Sequence, residues 1–168
     1  MKQQKAFTLV EILIVVVILG ILAALVIPSF ANSTMDAKRT TLSTDLQLLR
    51  RFILVYKAQH LEVAPGYPNG NTSANPTECA FVDQATLASN DSGRTSAAGS
   101  AVYNRGPYLS KVPANPLNGK RTVQVLCDGC NFPANGNNSH GWVYKPSTGQ
   151  IRPDSPGTDA NGKRYYDY

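Results

Sequence analysis

The sequence has little concentrated positive charge, although its formal net charge is +5, from 16 lysines and arginines against 11 aspartates and glutamates. No run of five basic residues occurs, and the densest basic clusters are pairs such as Lys38-Arg39 and Arg50-Arg51. Nucleic-acid binding driven by charge depends on clustered lysine and arginine. The composition therefore gives no indication of a nucleic-acid partner.

Cysteine is also scarce, with residues only at Cys79, Cys127 and Cys130. An odd number leaves at least one thiol unpaired within a monomer. In a domain outside the cytoplasm two of them should form a disulfide. That bond joins Cys79 to one of the other two or closes within residues 127–130, and we expect the pair that includes Cys79. A redox dithiol and a zinc site, completed by Cys79 and a histidine, are the alternatives for the C-x-x-C motif.

Charged residues are nearly absent from residues 7–28, which read FTLVEILIVVVILGILAALVIP, and Glu11 is the one exception. A helix of this length rises roughly 33 Å, about the thickness of a bilayer's hydrocarbon core. Lys2 and Lys5 precede the segment, and no basic residue follows it until Lys38. The positive-inside rule therefore places the N-terminus in the cytoplasm and the remainder of the chain outside.

Three interpretations of this segment are open on the residues alone. It is a secretory signal cleaved after the small residues at 29–31, a plain single-pass anchor, or a prepilin-type leader cut between Ala6 and Phe7. Glu11 favours the third, because a carboxylate in hydrocarbon costs about 2.5–3.5 kcal/mol on insertion scales and needs a partner. A cut after Ala6 creates an ammonium group at Phe7, about one helical turn from Glu11.

The junction Ala6-Phe7-Thr8-Leu9-Val10-Glu11-Ile12-Leu13, with the apolar run behind it, resembles the prepilin cleavage and methylation motif of type IV pilins and type II secretion pseudopilins. The resemblance implies that a prepilin peptidase removes residues 1–6 on the cytoplasmic face and methylates the new terminus at Phe7. It implies a role in filament assembly for Glu11, and a helix loosened at Gly20 and kinked at Pro28. The chain has Ala6 where the family usually has glycine.

Helical apolar spacing continues after the membrane segment. The residues on this second stripe are Leu42, Leu46, Leu49, Ile53 and Tyr56. This periodicity predicts one long helix to about Leu61, on the order of 80 Å in length; two helices broken near Pro28 are the alternative. A stalk of that length exceeds what one bilayer needs and favours a filament, in which such helices bundle.

The second half of the chain predicts a small head. Helix breakers at residues 65–71 precede a short helix with Asn75 as its N-cap. Strand patterns follow at residues 122–126, 141–144 and 149–152, and a turn at residues 145–148 joins the last two. The sequences at residues 106–120 and 141–154 are similar to the heads of major pseudopilins.

These observations predict an α+β, pilin-like fold, in which a long N-terminal helix packs on a small C-terminal antiparallel β-sheet head. The predicted parts are a leader (1–6), a transmembrane half of the helix (7–30), an amphipathic half (31–64) and a globular head (65–168). The predicted function is that of a structural subunit of a type II secretion pseudopilus or a type IV pilus-like filament, and not an enzyme. A minor pilin that binds DNA or a surface, and a membrane-tethered thiol or zinc protein, are the alternatives.

The resemblance also implies the chain's partners and location. The partners are further copies of the chain, minor pseudopilins, the prepilin peptidase, an inner-membrane assembly platform and the lipid bilayer, without nucleic acid. The chain is expected in the bacterial inner membrane as a single-pass protein with a periplasmic head. No catalytic residues, cofactor or metal are expected; the alternative is a calcium ion in an acidic loop, for which Asp154, Asp159 and Asp167 are the available carboxylates.

Overall fold

The computed structural model describes residues 8–97 and 100–168, with the side chains of residues 25–32 outside the description. The chain divides into two compact units, Met1–Lys38 and Arg39–Tyr168. The division at residues 6, 30 and 64 that the sequence suggests stays a prediction.

The longest element is helix α1, Leu9–Gln59. It is assigned without interruption across Gly20 and Pro28, and the kink expected at these two residues stays a prediction. Within the described residues, no helix combines the length and the apolar content needed to cross a membrane. The predicted spanning half, 7–30, includes Phe7 and the side chains of residues 25–30, which lie outside the described part of the chain.

The core of the second unit forms on one face of α1. The predicted apolar stripe is confirmed, with relative exposures of 0–2% for Leu42, Leu46, Leu49, Ile53 and Tyr56. The stripe shares one hydrophobic cluster with Phe81 of the second helix and with Trp142 and Tyr144 of the sheet. The periodicity read from the sequence thus marks the surface on which the head folds.

Helix α2 spans Glu78–Thr86, and its N-cap is Thr77. The prediction of Asn75 as the cap is therefore wrong. The backbone N–H of Thr77 donates to Gly66 O at 2.8 Å, which holds Thr77 in an extended conformation. Its hydroxyl then accepts a hydrogen bond from Ala80 N at 3.2 Å, as an N-cap side chain does.

The strands form two small sheets. Strands β1 (Ala88–Ser89) and β2 (Thr95–Ser96) pair antiparallel, and β3 (Val123–Val125), β4 (Trp142–Lys145) and β5 (Gln150–Pro153) form a sheet in that order. Strands β4 and β5 are antiparallel, as expected, but β3 runs parallel to β4. The long connection at residues 126–141 allows this, because parallel neighbours need a crossover of roughly a dozen residues. The α+β class is confirmed, and the sheet is mixed.

Candidate functional site

The N-terminus of α1 is capped by two side chains, those of Thr8 and Glu11, which form reciprocal hydrogen bonds. The Glu11 backbone N–H donates to Thr8 Oγ1 at 3.3 Å. In return, Glu11 Oε2 accepts from the Thr8 backbone N–H at 3.0 Å and from the Thr8 hydroxyl at 2.9 Å. This is a capping box, in which two unpaired N–H groups at a helix start are satisfied together.

The sequence contains the signal for this box. Thr8-Leu9-Val10-Glu11 has the spacing of a threonine and a glutamate that cap a helix before an apolar run. Glu11 stands out in the sequence because a charge in an apolar run is rare, whereas Thr8 has no such mark and was missed. The structure adds that Glu11 also orders the first turn of α1.

The first half of α1 presents a continuous apolar surface. Its large hydrophobic side chains between Leu9 and Leu22 are 51–82% exposed. Soluble monomers rarely expose contiguous apolar patches of more than a few hundred Å², and larger ones mark interaction or membrane surfaces. This surface needs a cover, which a bilayer or neighbouring helices can supply.

The other residues selected at this end of the chain are placed only in part. Ala6 and Phe7, the expected cleavage and methylation residues, lie outside the described residues, as does the side chain of Pro28. Gly20 lies within α1, and a Cβ added there would meet no atom within 4 Å outside the surrounding helix backbone. Of the selected residues, the structure therefore places Glu11 in a contact, and its partner is Thr8, which was not selected.

The cysteines pair differently from the expectation. Cys127 and Cys130 form a disulfide, with Cα atoms 5.1 Å apart, and Cys79 is an exposed free thiol. The prediction that Cys79 is a disulfide partner is therefore wrong. The reason is local: a turn after β3, in which Cys130 N donates to Cys127 O at 3.0 Å, brings the two together. Cys79 instead lies in the first turn of α2.

The surroundings of the cysteines argue against thiol chemistry. The negative charge of Asp83, whose Oδ2 lies 3.5 Å from Cys79 Sγ, raises the pKa of the Cys79 thiol. A raised pKa means less thiolate, which is the nucleophilic and metal-binding form. The Cys127–Cys130 pair follows a strand and does not begin a helix, where thioredoxin-like dithiols are found.

We expect alkylation of the unreduced, denatured protein to label one cysteine, Cys79, and alkylation after reduction to label all three. Peptide mapping should show the 127–130 peptide as an internal disulfide with a mass two hydrogens lower than its reduced form. Cys79→Ser is the control and should abolish labelling before reduction. A Cys79-linked peptide would contradict the pairing.

The acidic residues considered for calcium are bound by protein donors. Asp159 Oδ2 accepts from Arg39 Nη2 at 3.1 Å and from the Tyr168 hydroxyl at 2.5 Å, while its Oδ1 accepts from the backbone N–H groups of Asn161 and Lys163 at 2.8 and 2.9 Å. These hydrogen bonds, that of Tyr168 first, lower the pKa of the Asp159 carboxyl against the opposing effect of burial. The arginine supplies the positive charge that a cation would bring.

The remaining candidate metal ligands are similarly engaged. Asp154 accepts from Asn137 N and His140 N at 2.7 and 2.8 Å, and Asp167 from Arg164 Nε at 2.6 Å. His60 is buried between Tyr56 O and Ser89 Oγ, at 2.8 and 3.0 Å. Among the described residues, no group of three or more histidine, cysteine, aspartate or glutamate side chains could hold a metal ion. The residues fit neither the calcium nor the zinc alternative.

Comparison with known proteins agrees with the N-terminal geometry. Residues 1–27 match the prokaryotic N-terminal methylation motif. The chain is 40% identical over 79 residues to the type II secretion system core protein G of Pseudomonas aeruginosa, covering 42% of this chain and 56% of that protein. It is 29% identical over 114 residues to the Escherichia coli core protein G, covering 68% and 67%. A fimbrial protein of Pseudomonas aeruginosa is 44% identical over 50 residues, covering 30% and 32%.

No solved structure gives a significant match to the chain. The chain spans little more than half of the length of the Pseudomonas aeruginosa core protein G. Its match to the Escherichia coli protein is longer, at 114 residues, and includes part of the head. The matched motif contains the capping box at Thr8 and Glu11 and the exposed apolar surface of α1. The chain therefore carries the prepilin-type N-terminal methylation motif and is a relative, in sequence, of the type II secretion pseudopilins.

Proposed function

We propose that this chain is a structural subunit of a type II secretion pseudopilus or a related type IV pilus-like filament. Residues 1–6 are a leader that prepilin peptidase removes, and Phe7 becomes the methylated first residue. Residues 7–30 anchor the subunit in the inner membrane before assembly, residues 31–64 form the stalk, and residues 65–168 form the periplasmic head. Minor pseudopilins and an inner-membrane assembly platform are its further partners.

The observation that carries this proposal is the contrast between the two halves of α1. The large apolar side chains from Leu9 to Leu22 are at least half exposed, whereas those facing the head, such as Leu42 and Leu49, are 0% exposed. A helix with one half buried in its own head and the other half uncovered suits a subunit that moves from a bilayer into a bundle of like helices. Burial of apolar surface is favourable in both environments.

A structural role is also what the candidate chemistry supports. The free thiol has a raised pKa, and the other two cysteines are in a disulfide. The ring nitrogens of the buried His60 form hydrogen bonds with the Tyr56 backbone carbonyl and the Ser89 hydroxyl, and burial lowers the pKa of His60. These groups stabilise the head. His60 and Ser89 are close enough to form a base and nucleophile pair, but their exposures are 1% and 0%, so a substrate has no access to them.

Between the two kinds of filament, we favour the secretion pseudopilus. The head is modest in size, and the matches to relatives named type II secretion core protein G include part of it, whereas the match to the fimbrial relative covers only 30% of the chain.

The predicted kink at Gly20 and Pro28 would let the anchor bend as it enters the filament core.

Processing is the first test. We expect intact-mass analysis of membrane-extracted protein to give a chain that begins at Phe7 and carries one added methyl group. The same chain from cells without prepilin peptidase should keep residues 1–6, which is the matched control. A mature N-terminus at Asn32 would mean an ordinary secretory signal and would overturn the proposal.

A further inference from the structure

The C-terminal end of α1 has an unusual backbone. Leu61 and Glu62 both have left-handed φ angles, of 54° and 63°. Glu62 N donates to Lys57 O at 3.0 Å, the six-residue closure that ends many helices. The residue that turns left-handed in such a closure is usually glycine, because a side chain there is strained. This chain has a leucine at that position.

The leucine gains nothing from its own chain that would explain the strain. Its side chain is exposed, at 81%. Beside it, the Glu62 side chain is 78% exposed and lies 3.8 Å from Lys57 Nζ, at the long limit for an ion pair. The backbone turn is compensated by the hydrogen bond from Glu62 N to Lys57 O, but the choice of a bulky apolar side chain in this strained, exposed position is not. Such positions are expected at functional sites.

Elsewhere on the head lies a cavity with an apolar lining and basic side chains beside it, which complements Leu61 and Glu62. It is a shallow cavity, open to solvent, with a volume of about 320 Å³, and it lies between α2 and residues 110–122. Val82, Thr86 and Val112 line it, and Lys111, Arg121 and Glu78 stand at its rim. Glu78 Oε1 accepts a hydrogen bond from Val123 N at 2.8 Å, and Arg121 Nη1 donates one to Val112 O at 2.9 Å. Lys111 and Arg121 are both exposed.

The size and the charge of the cavity both suit the Leu61–Glu62 turn. The void left when one core leucine is truncated to alanine is on the order of 150 Å³, so a leucine side chain fits within the cavity. The two cations at the rim exceed the single carboxylate of Glu78. An acidic residue next to the inserted leucine would meet an opposite charge.

The turn and the cavity lie at different levels along α1. Phe81, which adjoins Val82 in α2, contacts Phe52 of α1 with ring centroids 5.5 Å apart. The positive charge of Arg121 also acts on Asp45, opposing the rise in pKa that burial causes there. The cavity therefore lies beside residues 45–52 of the helix. Leu61 lies nine to sixteen residues further on, about 14–24 Å along the axis. A contact between these two surfaces joins opposite ends of two copies. Such a contact is heterologous and repeats along a filament without closing.

We propose that Leu61 of one copy of this chain inserts into the cavity formed by Val82, Thr86 and Val112 of the next copy, with Glu62 facing Lys111 and Arg121. The contact rests on the proposed filament function and adds to it a head-to-head interface outside the helical core. The strain at Leu61 is then compensated in the assembled state, where the side chain is buried.

The first test measures sheared filament yield from cells that carry the assembly machinery. We expect Leu61→Asp, Glu62→Lys and Lys111→Glu each to lower the yield about tenfold. Combining Glu62→Lys with Lys111→Glu should restore most of it, because the charges again match. Val102→Asp, which changes a 64% exposed valine in another loop, is the matched control and should assemble normally.

A second variant separates docking from folding. Leu61→Gly removes the strained side chain, so the melting temperature of the full chain in detergent should stay the same or rise by roughly 2–4 °C, while filament yield falls. Loss of both stability and yield would assign Leu61 to folding and overturn the contact.

Cross-linking gives a direct readout. In a Cys79→Ser background, Leu61→Cys with Thr86→Cys should give an oxidation-dependent ladder of multimers from filaments, and either substitution alone should not. The contact would be overturned if the double-cysteine variant formed filaments without a ladder and the Leu61 and Glu62 variants gave normal filament yield. The proposed function would then still stand, because the wild type forms filaments. A wild type that forms no filaments with its machinery would overturn both.

Discussion

Replacing Glu11 with alanine should abolish filament formation while leaving membrane insertion, cleavage after Ala6 and head folding intact. A carboxylate within hydrocarbon costs about 2.5–3.5 kcal/mol on insertion scales, and so does not persist without a partner. In a filament, the ammonium of one subunit's Phe7 can lie beside the Glu11 of the subunit already assembled. Pairing offsets both desolvation costs and sets the axial register of the helices.

The capping box supplies a second role for Glu11, and conservative variants separate the two. Glu11→Gln keeps an oxygen that can accept from the Thr8 N–H, as glutamine does in capping boxes, but it carries no charge. Thr8→Ala removes the hydroxyl from the box and keeps the carboxylate. If charge pairing drives assembly, Glu11→Gln should fail like Glu11→Ala, and Thr8→Ala should assemble.

The measurement is shear fractionation with electron microscopy, alongside immunoblots of cleaved subunit in the membrane. Equal amounts of cleaved subunit in every strain would show that any difference lies in assembly. Normal filament yield from Glu11→Ala would refute the pairing argument. Full recovery in Glu11→Gln would instead assign the residue to the helix start.

The sequence predicts the long-range pattern of α1 well because the signal repeats. An apolar residue every three or four positions from Leu42 to Tyr56 leaves only one face to bury, and all five are buried. Strands β4 and β5 were predictable for a similar reason, since the turn at residues 145–148 fixes their pairing. The buried face of α1 and the pairing of β4 with β5 are both set by residues close together in the sequence.

Features that depend on distant or competing contacts were not predictable. The parallel pairing of β3 with β4 depends on the path of residues 126–141, which have no periodic pattern. Asn75 and Thr77 are both good N-caps, and the bond from Thr77 N to Gly66 O decides between them. The disulfide depends on a tight turn that brings Cys127 to Cys130, and an odd count of cysteines cannot select a pair.

The key residue of the candidate site was predictable from the sequence, but not all of the site's geometry was. Glu11 stands out as the one charge in an apolar run, so its selection needed no structure. Its bonds to Thr8 were readable from spacing alone. The left-handed turn at Leu61 was not, because nothing in the sequence marks such a turn when glycine is absent.

Replacing Trp142 with alanine should have the largest effect on the stability of the head. Trp142 is 0% exposed and belongs to the main core cluster. It begins the central strand β4, where it is paired with Val123 on one side and Pro153 on the other. Its indole Nε1 donates to Pro113 O at 2.9 Å, which ties the loop before β3 to the sheet.

We expect Trp142→Ala to cost about 3–5 kcal/mol, through lost burial and the cavity that remains. That is a large share of the roughly 5–15 kcal/mol by which domains are stable, and it corresponds to a fall of roughly 10–20 °C in melting temperature. Trp142→Phe keeps an aromatic ring and loses the bond to Pro113 O, so it should cost less. Val102→Ala, at an exposed site, should change stability by no more than about 0.5 kcal/mol.

Pulse proteolysis of the full chain in detergent, across a urea series, measures these differences without relying on tryptophan fluorescence. In cells, Trp142→Ala should lower the amount of cleaved subunit and the filament yield together, because the unfolded head is degraded. Glu11→Ala should lower the filament yield alone. A Trp142→Ala head as resistant as the wild type would mean that the sheet does not depend on this side chain, and the packing described for β4 would be wrong.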